Sequence, residues 1–288
     1  DLQCAECERP KPGGVCSSCP YNLDRGLQDI EQKFGFRIGK HTEYLLKGAV
    51  RKKYIRTAQG PRLLAEFLAI LRGEDPFGAF ERMQNLGILE SLHEAMRFDE
   101  KMKDVFRQVE KIHSWFQLLF LEEKPDVGMI YFHAIMLIRS REERDEILGL
   151  FHQSPQVKNL YRERWSRLSS VMVDLGKNEK ESHSWIARLL GQLNIEDLLM
   201  VMSLTKREGT AKAISLYLTR LRFINREIDG KVLLSMGYST GPLFREIMQA
   251  VQDARVDGLV NSLQEEKSWV REHFPLENAH AGTGGEKT

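Results

Sequence analysis

Cys4, Cys7, Cys16 and Cys19 form two Cys-x-x-Cys pairs, and no other cysteine occurs in the 288 residues. Each pair can aim two thiolates at one ion, and the intervening "RPKPGG" supplies a proline and glycine reversal that brings the pairs together. A four-sulfur set suits zinc or iron, with zinc expected, and no strand–helix–strand redox pattern surrounds either pair. The reading is a structural zinc knuckle. A site closed by four cysteines keeps no coordination position for a reacting water, so it folds a segment of roughly 20 residues and does not catalyse. The plain alternative is four cysteines that bind nothing.

A second chemistry is offered by charge. Between Lys33 and Arg72 there are ten Lys or Arg against two acids, Glu43 and Glu66, a local charge of +8 in a chain whose total is +1. The positive field is therefore confined to one neighbourhood. Arg37, Lys40, Lys47, Arg51, Lys52, Lys53, Arg56 and Arg62 are the candidates for phosphate contact. Tyr44, Tyr54, Phe34 and Phe36 are interleaved with them and could stack on bases. Against this stands the ordinary solvated helix face: adjacent Arg51, Lys52 and Lys53 cannot all point one way, and Phe34 and Phe36 read first as packing residues. A further candidate is the helix opened by Thr240, Gly241 and Pro242, whose free N–H groups face outward with Arg245 one turn in. Its bland reading is an ordinary helix start.

Catalytic constellations are missing. The chain holds no Asp-x-Asp pair, no glycine-rich phosphate loop and no His-Asp dipeptide. Its eight histidines are scattered without ligand spacing on any one helix. His133, in "GMIYFHAIMLI", is expected as a buried, hydrogen-bonded core residue.

The elements that must position these groups are helical almost throughout from about residue 29, with apolar residues three and four apart. Gly60-Pro61, Asp75-Pro76 and Ser154-Pro155 each place a proline at a first helical position, where its missing N–H costs nothing. Further helices are expected over 42–53, 102–120, 126–139, 141–151, 182–193, 209–224, 242–254 and 263–273. The fold class is all-α. Hydrophobic content of 42% with 29% charge is that of a soluble globular protein. No apolar run nears the roughly 20 residues of a membrane span, and the first residues lack a signal layout, so a cytoplasmic chain with no membrane partner is expected.

"QKFGFRIGKHTEYLLKGAVRKKYIRTAQGPRLLAEFLAIL", followed by "DPFGAFERMQNLGILESLHEAM", resembles the region after the catalytic head of class II tRNA nucleotidyltransferases, the CCA-adding and A-adding enzymes and bacterial poly(A) polymerases. "LRFINREIDGKVLLSMGYSTGPLFREIMQAVQDARVDGLVNSLQEE" resembles their tail, with an Asp-Gly, a short leucine run and a Gly-Pro before a helix that ends in Ala and Asp-Gly. The likeness spans roughly residues 31 to 274. It implies helical neck, body and tail subdomains that hold the acceptor arm of tRNA, while a separate α/β head carries the metal-binding carboxylates. That head's Asp-x-Asp is not in this sequence, so the chain is expected to be inactive alone, and Mg with ATP or CTP enters only if a head is supplied. The nucleotide-selecting motif of the neck is echoed only by Asp24 and Arg25, out of register. Arg62 and Glu66, at i and i+4 in "GPRLLAEFLAIL", match the helix that supports that neck; read from the residues alone they are a surface ion pair worth a few tenths of a kcal/mol.

The segments expected are a zinc knuckle or unrelated stretch over 1–28, a basic helical neck over 29–122, a body over 123–208, a tail over 209–274 and a disordered end over 275–288. Three functions follow. The first is an RNA-binding region for the tRNA acceptor arm or another structured RNA, acting in tRNA 3′-end processing. The second is a piece of an active CCA- or A-adding nucleotidyltransferase. The third is a zinc-containing scaffold whose partner is a protein, with the basic patch merely solvated.

Overall fold

The computed structural model describes residues 39–52, 54, 60–177 and 182–276. Cys4, Cys7, Cys16, Cys19, Phe34, Phe36, Arg37, Lys53, Arg56 and the tail from 277 lie outside these residues, and with them the zinc knuckle and the disordered end expected from the sequence.

Every regular element among the described residues is helical, as the apolar periodicity predicts. Two compact units divide the chain, one of residues up to Leu168 with Leu199–Leu204, the other of Ser169–Leu198 and the residues from Thr205 on. The first holds α1 (Lys40–Arg51), α2 (Pro61–Leu71), α3 (Pro76–Asn85), α4 (Ile88–Leu92), α5 (Glu100–Gln117), α6 (Val127–Leu137) and α7 (Arg141–Leu150). The long α8 (Pro155–Lys177) and α10 (Ile195–Leu204) contribute residues to both. The second adds α9 (His183–Leu190), α11 (Glu208–Thr219), α12 (Gly230–Ser235), α13 (Pro242–Val256) and α14 (Leu263–His273). No helix among the described residues is long and apolar enough to cross a membrane.

The three proline-led starts stand where the sequence places them. Gly60 precedes Pro61 with φ of 112°, a backbone only glycine adopts without strain. Asp75 caps its helix by accepting from the Gly78 N–H at 2.8 Å, and Ser154 accepts from Val157 N–H at 3.3 Å. Elsewhere the chain breaks where periodicity runs on. "FGAFERMQNLGIL" divides at Gly87, whose φ of 74° ends α3 and opens α4. The expected helix over 209–224 ends at Thr219, and a 3₁₀ turn, Leu221–Phe223, follows. α10 has no counterpart among the expected helices: Leu198, Leu199, Met200 and Val201 are all buried, so its centre shows no polar face to reveal a helical period.

An aromatic core joins the helices of the first unit. Phe67 of α2 meets Phe80 of α3 edge-on at 5.4 Å, Phe80 meets Phe106 of α5 at 4.7 Å, and Phe106 meets Tyr131 of α6 at 4.8 Å. α2 and α6 approach closely enough that a Cβ on Gly128 would lie 3.1 Å from the Leu68 carbonyl oxygen and 2.7 Å from Arg72 Cγ. The same contact is clamped by Arg72, which donates to both oxygens of Asp126 at 2.9 and 2.6 Å. His133 is buried as expected, and its Nδ1 accepts from the Trp165 indole N–H at 3.0 Å. In the second unit Ile228, Leu233, Tyr238, Ile247, Val251 and Val270 form the core.

Candidate nucleic-acid interface

α1 buries only Leu46. At 100° per residue Lys40, Tyr44, Lys47 and Arg51, spaced i, i+4, i+7 and i+11, fall within a sector about 60° wide. All four are exposed, Tyr44 by 68%. Charge on this stripe is anchored at one point. Glu43 accepts from Lys47 Nζ at 2.8 Å, and its other oxygen lies 3.6 Å from Arg82 of α3. The Lys47 ammonium, with Arg82 behind it, holds the Glu43 carboxyl below the usual carboxylate range. Lys40 and Arg51, by contrast, face no carboxylate among the described residues. They are the cations left open to a phosphate.

Lys52, at the C-terminal cap, turns off the stripe and stands 5.9 Å over the Tyr54 ring. Arg62 lies on α2, with its Nε 3.9 Å from Glu66, both partly exposed. The distance and exposure are those of a weak surface pair. Of the candidate residues, the fold thus brings Lys40, Lys47 and Arg51 to one face of α1, with Lys52 turned off that face and Arg62 on α2. Arg82 joins the neighbourhood unforeseen, because its link to Glu43 crosses 39 positions and carries no local signal.

In the second unit Gly241 precedes α13 in extended backbone, and no side chain caps the helix. Thr240 and Arg245 are exposed, and the Arg245 guanidinium has no acidic partner among the described residues. An uncapped first turn with a nearby cation is a site that a phosphate oxygen can occupy. The other features of this stretch are structural. Asp229 caps α12 through the Val232 N–H at 2.8 Å, and Leu233 is fully buried. Asp257, which ends α13, accepts from the Ser184 N–H and hydroxyl of α9. Asp229, Leu233 and Asp257 of the tail's likeness therefore serve its helices, whereas the Thr240–Gly241–Pro242 opening is left uncapped by any side chain.

No family model matches the chain. The A-adding tRNA nucleotidyltransferase of Geobacter sulfurreducens is 31% identical over 253 residues, covering 83% of this chain and 28% of that protein. Its counterpart from Aquifex aeolicus is 28% identical over 203 residues, covering 70% of this chain and 24% of its own length. The chain thus spans about a quarter of the length of the curated relatives it matches. Among solved structures, the Thermotoga maritima CCA-adding enzyme complexed with tRNA_CCA shares the fold, with a TM-score of 0.68 at 21% identity over 88% of this chain and 61% of that one. Sequence and fold agree, and the chain is a class II tRNA nucleotidyltransferase-like helical region.

Proposed function

We propose that this chain binds the acceptor arm of tRNA, or an RNA of like shape, as the helical part of tRNA 3′-end processing. The observation that carries the reading is the α1 face, where Lys40, Lys47 and Arg51 share one exposed stripe and two of them meet no acid among the described residues. Phosphate contacts of this kind position an RNA without reading its bases. The α13 opening, with Thr240, Gly241 and Arg245, supplies a second point for a phosphate oxygen. Support comes from the relatives, which are A-adding tRNA nucleotidyltransferases, and from a fold neighbour complexed with tRNA.

A second reading is favoured by one number: the relatives are several times longer. On it the chain is one segment of a nucleotidyltransferase whose metal ions and ATP or CTP are bound by a head that this sequence does not encode, having no Asp-x-Asp. The four cysteines are assigned to a structural zinc ion, and the chain to the cytoplasm, on the sequence alone. Filter binding of labelled tRNA at rising salt tests the main reading. Affinity at low salt, with log K falling by about 0.7–0.9 for each phosphate held, supports it; no affinity, or a flat slope, sinks it. Adenylation of tRNA by this chain alone with ATP and Mg²⁺ would overturn the assignment of chemistry to a head, and zinc near one equivalent in the purified protein checks the knuckle.

A further inference from the structure

Tyr44 lies in the middle of the α1 stripe, one turn after Lys40, one turn before Lys47 and two turns before Arg51. Its ring is 68% exposed and touches no other ring and no hydrogen-bond partner among the described residues. Among the described residues the fold takes neither a ring contact nor a hydrogen bond from this side chain. A face that only gripped the backbone of an RNA duplex would have no use for it either, since bases within a duplex are stacked on one another and their π faces are closed. An unpaired base offers an open π face, and an aromatic ring between cations is the arrangement that holds single strands without reading their sequence.

We propose that this face of α1 takes unpaired RNA, with a base stacked on Tyr44 and the neighbouring phosphates held by Lys40, Lys47 and Arg51. The inference rests on the RNA reading above and narrows it, at this helix, from structured RNA in general to a single-stranded stretch. Leu45, beside Tyr44 and half exposed, makes an apolar protein contact the competing use of the surface. The two uses separate chemically: leucine in place of Tyr44 keeps apolar bulk and loses the π face, whereas phenylalanine keeps the ring.

The test is fluorescence anisotropy of the full chain with a labelled single-stranded oligoadenylate and with a blunt RNA hairpin. Tyr44→Phe should bind both as the wild type does. Tyr44→Leu should weaken the oligoadenylate by about five- to a hundredfold and the hairpin by less than about twofold. Arg51→Ala should weaken both. Equal loss on the two RNAs with Tyr44→Leu, or no loss on either, overturns the inference. So does a wild-type chain that binds the hairpin and ignores the oligoadenylate, an outcome that leaves the general RNA reading standing. Binding to neither RNA removes both. Because Tyr44 is exposed, unchanged thermal melts of the variants confirm that affinity alone has moved.

Discussion

Asp257, at the end of α13, accepts from both the backbone N–H of Ser184 at 2.8 Å and its hydroxyl at 2.7 Å, across 73 positions of chain. Ser184 is 4% exposed. Asp257→Ala takes the acceptor from the buried Ser184 N–H, while the Ser184 hydroxyl keeps Ser182 Oγ at 2.8 Å, and the expected cost is about 1–3 kcal/mol. Asp257→Asn, which keeps one acceptor, should cost about half of that. Urea unfolding of the full chain measures both, and equal stabilities for wild type and Asp257→Ala would refute the role assigned to this pair.

This pairing marks the boundary of what the sequence makes legible. The all-helical class, the three proline-led starts and the burial of His133 follow from local pattern, since caps and apolar spacing act within a turn or two. Asp257 in "RVDGL" reads locally as a turn residue; its partner belongs to another helix, and nothing near either residue announces the other. The same holds for the link from Arg82 to Glu43. The break at Gly87 was visible as a glycine, but the apolar spacing of "NLGIL" continues through it, so periodicity hid a backbone reversal. The stripe of Lys40, Lys47 and Arg51 is legible as charge and helical spacing, and so is the i, i+4 pairing of Lys47 with Glu43, whereas the approach of Arg82 to the same carboxylate depends on the tertiary position of α3.

A pH dependence follows from His133. Burial, reinforced by the Arg164 charge, pushes its pKa down to about 3, against about 6.5 in an unfolded chain. Below about pH 6.5 the unfolded state takes up a proton that the folded state refuses, so stability falls as pH drops, by about 1.4 kcal/mol per unit, until the folded pKa is reached. Above pH 6.5 the contribution is complete. His133→Gln still offers an acceptor to the Trp165 indole and does not titrate. Comparing urea midpoints at neutral pH and near pH 5, the variant should gain about 2 kcal/mol on the wild type at the acid end. A constant difference between the two proteins would contradict the assignment.

Glu266 sits at the centre of the second unit with no exposed surface, accepting from the N–H groups of Glu227 and Ile228 and from Arg255 at 3.1 Å. Arg255→Met takes the cation from a buried carboxylate, which keeps its backbone donors, and also removes the 2.7 Å bond from Arg255 to Glu227; it should cost about 3–5 kcal/mol. Glu266→Gln removes the charge while keeping an oxygen for the backbone donors. In the Arg255→Met background the second change should therefore restore stability, although alone it should reduce it. A double-mutant cycle by chemical denaturation reads the sign, with a coupling of about 1–3 kcal/mol expected; simple additivity would exclude a charge-centred lock.

Glu43 makes the sharpest prediction for RNA binding, because it acts against the face on which it stands. Its carboxylate engages Lys47 and draws Arg82 towards it, so part of the positive field of α1 is cancelled where a phosphate would approach. Glu43→Gln removes one negative charge from that face and releases Lys47. Tightened tRNA binding and a steeper salt dependence should follow, whereas Lys40→Ala and Arg51→Ala should each weaken binding and flatten the slope by about 0.7–0.9. Lys47→Ala should weaken it less than Arg51→Ala, since Lys47 must first leave its partner. The change in folding stability from losing an exposed pair is too small to obscure the binding effect. Filter binding of tRNA at several salt concentrations distinguishes the variants; a Glu43→Gln protein that binds more weakly than wild type would show that the carboxylate positions α1 for RNA and does not oppose it.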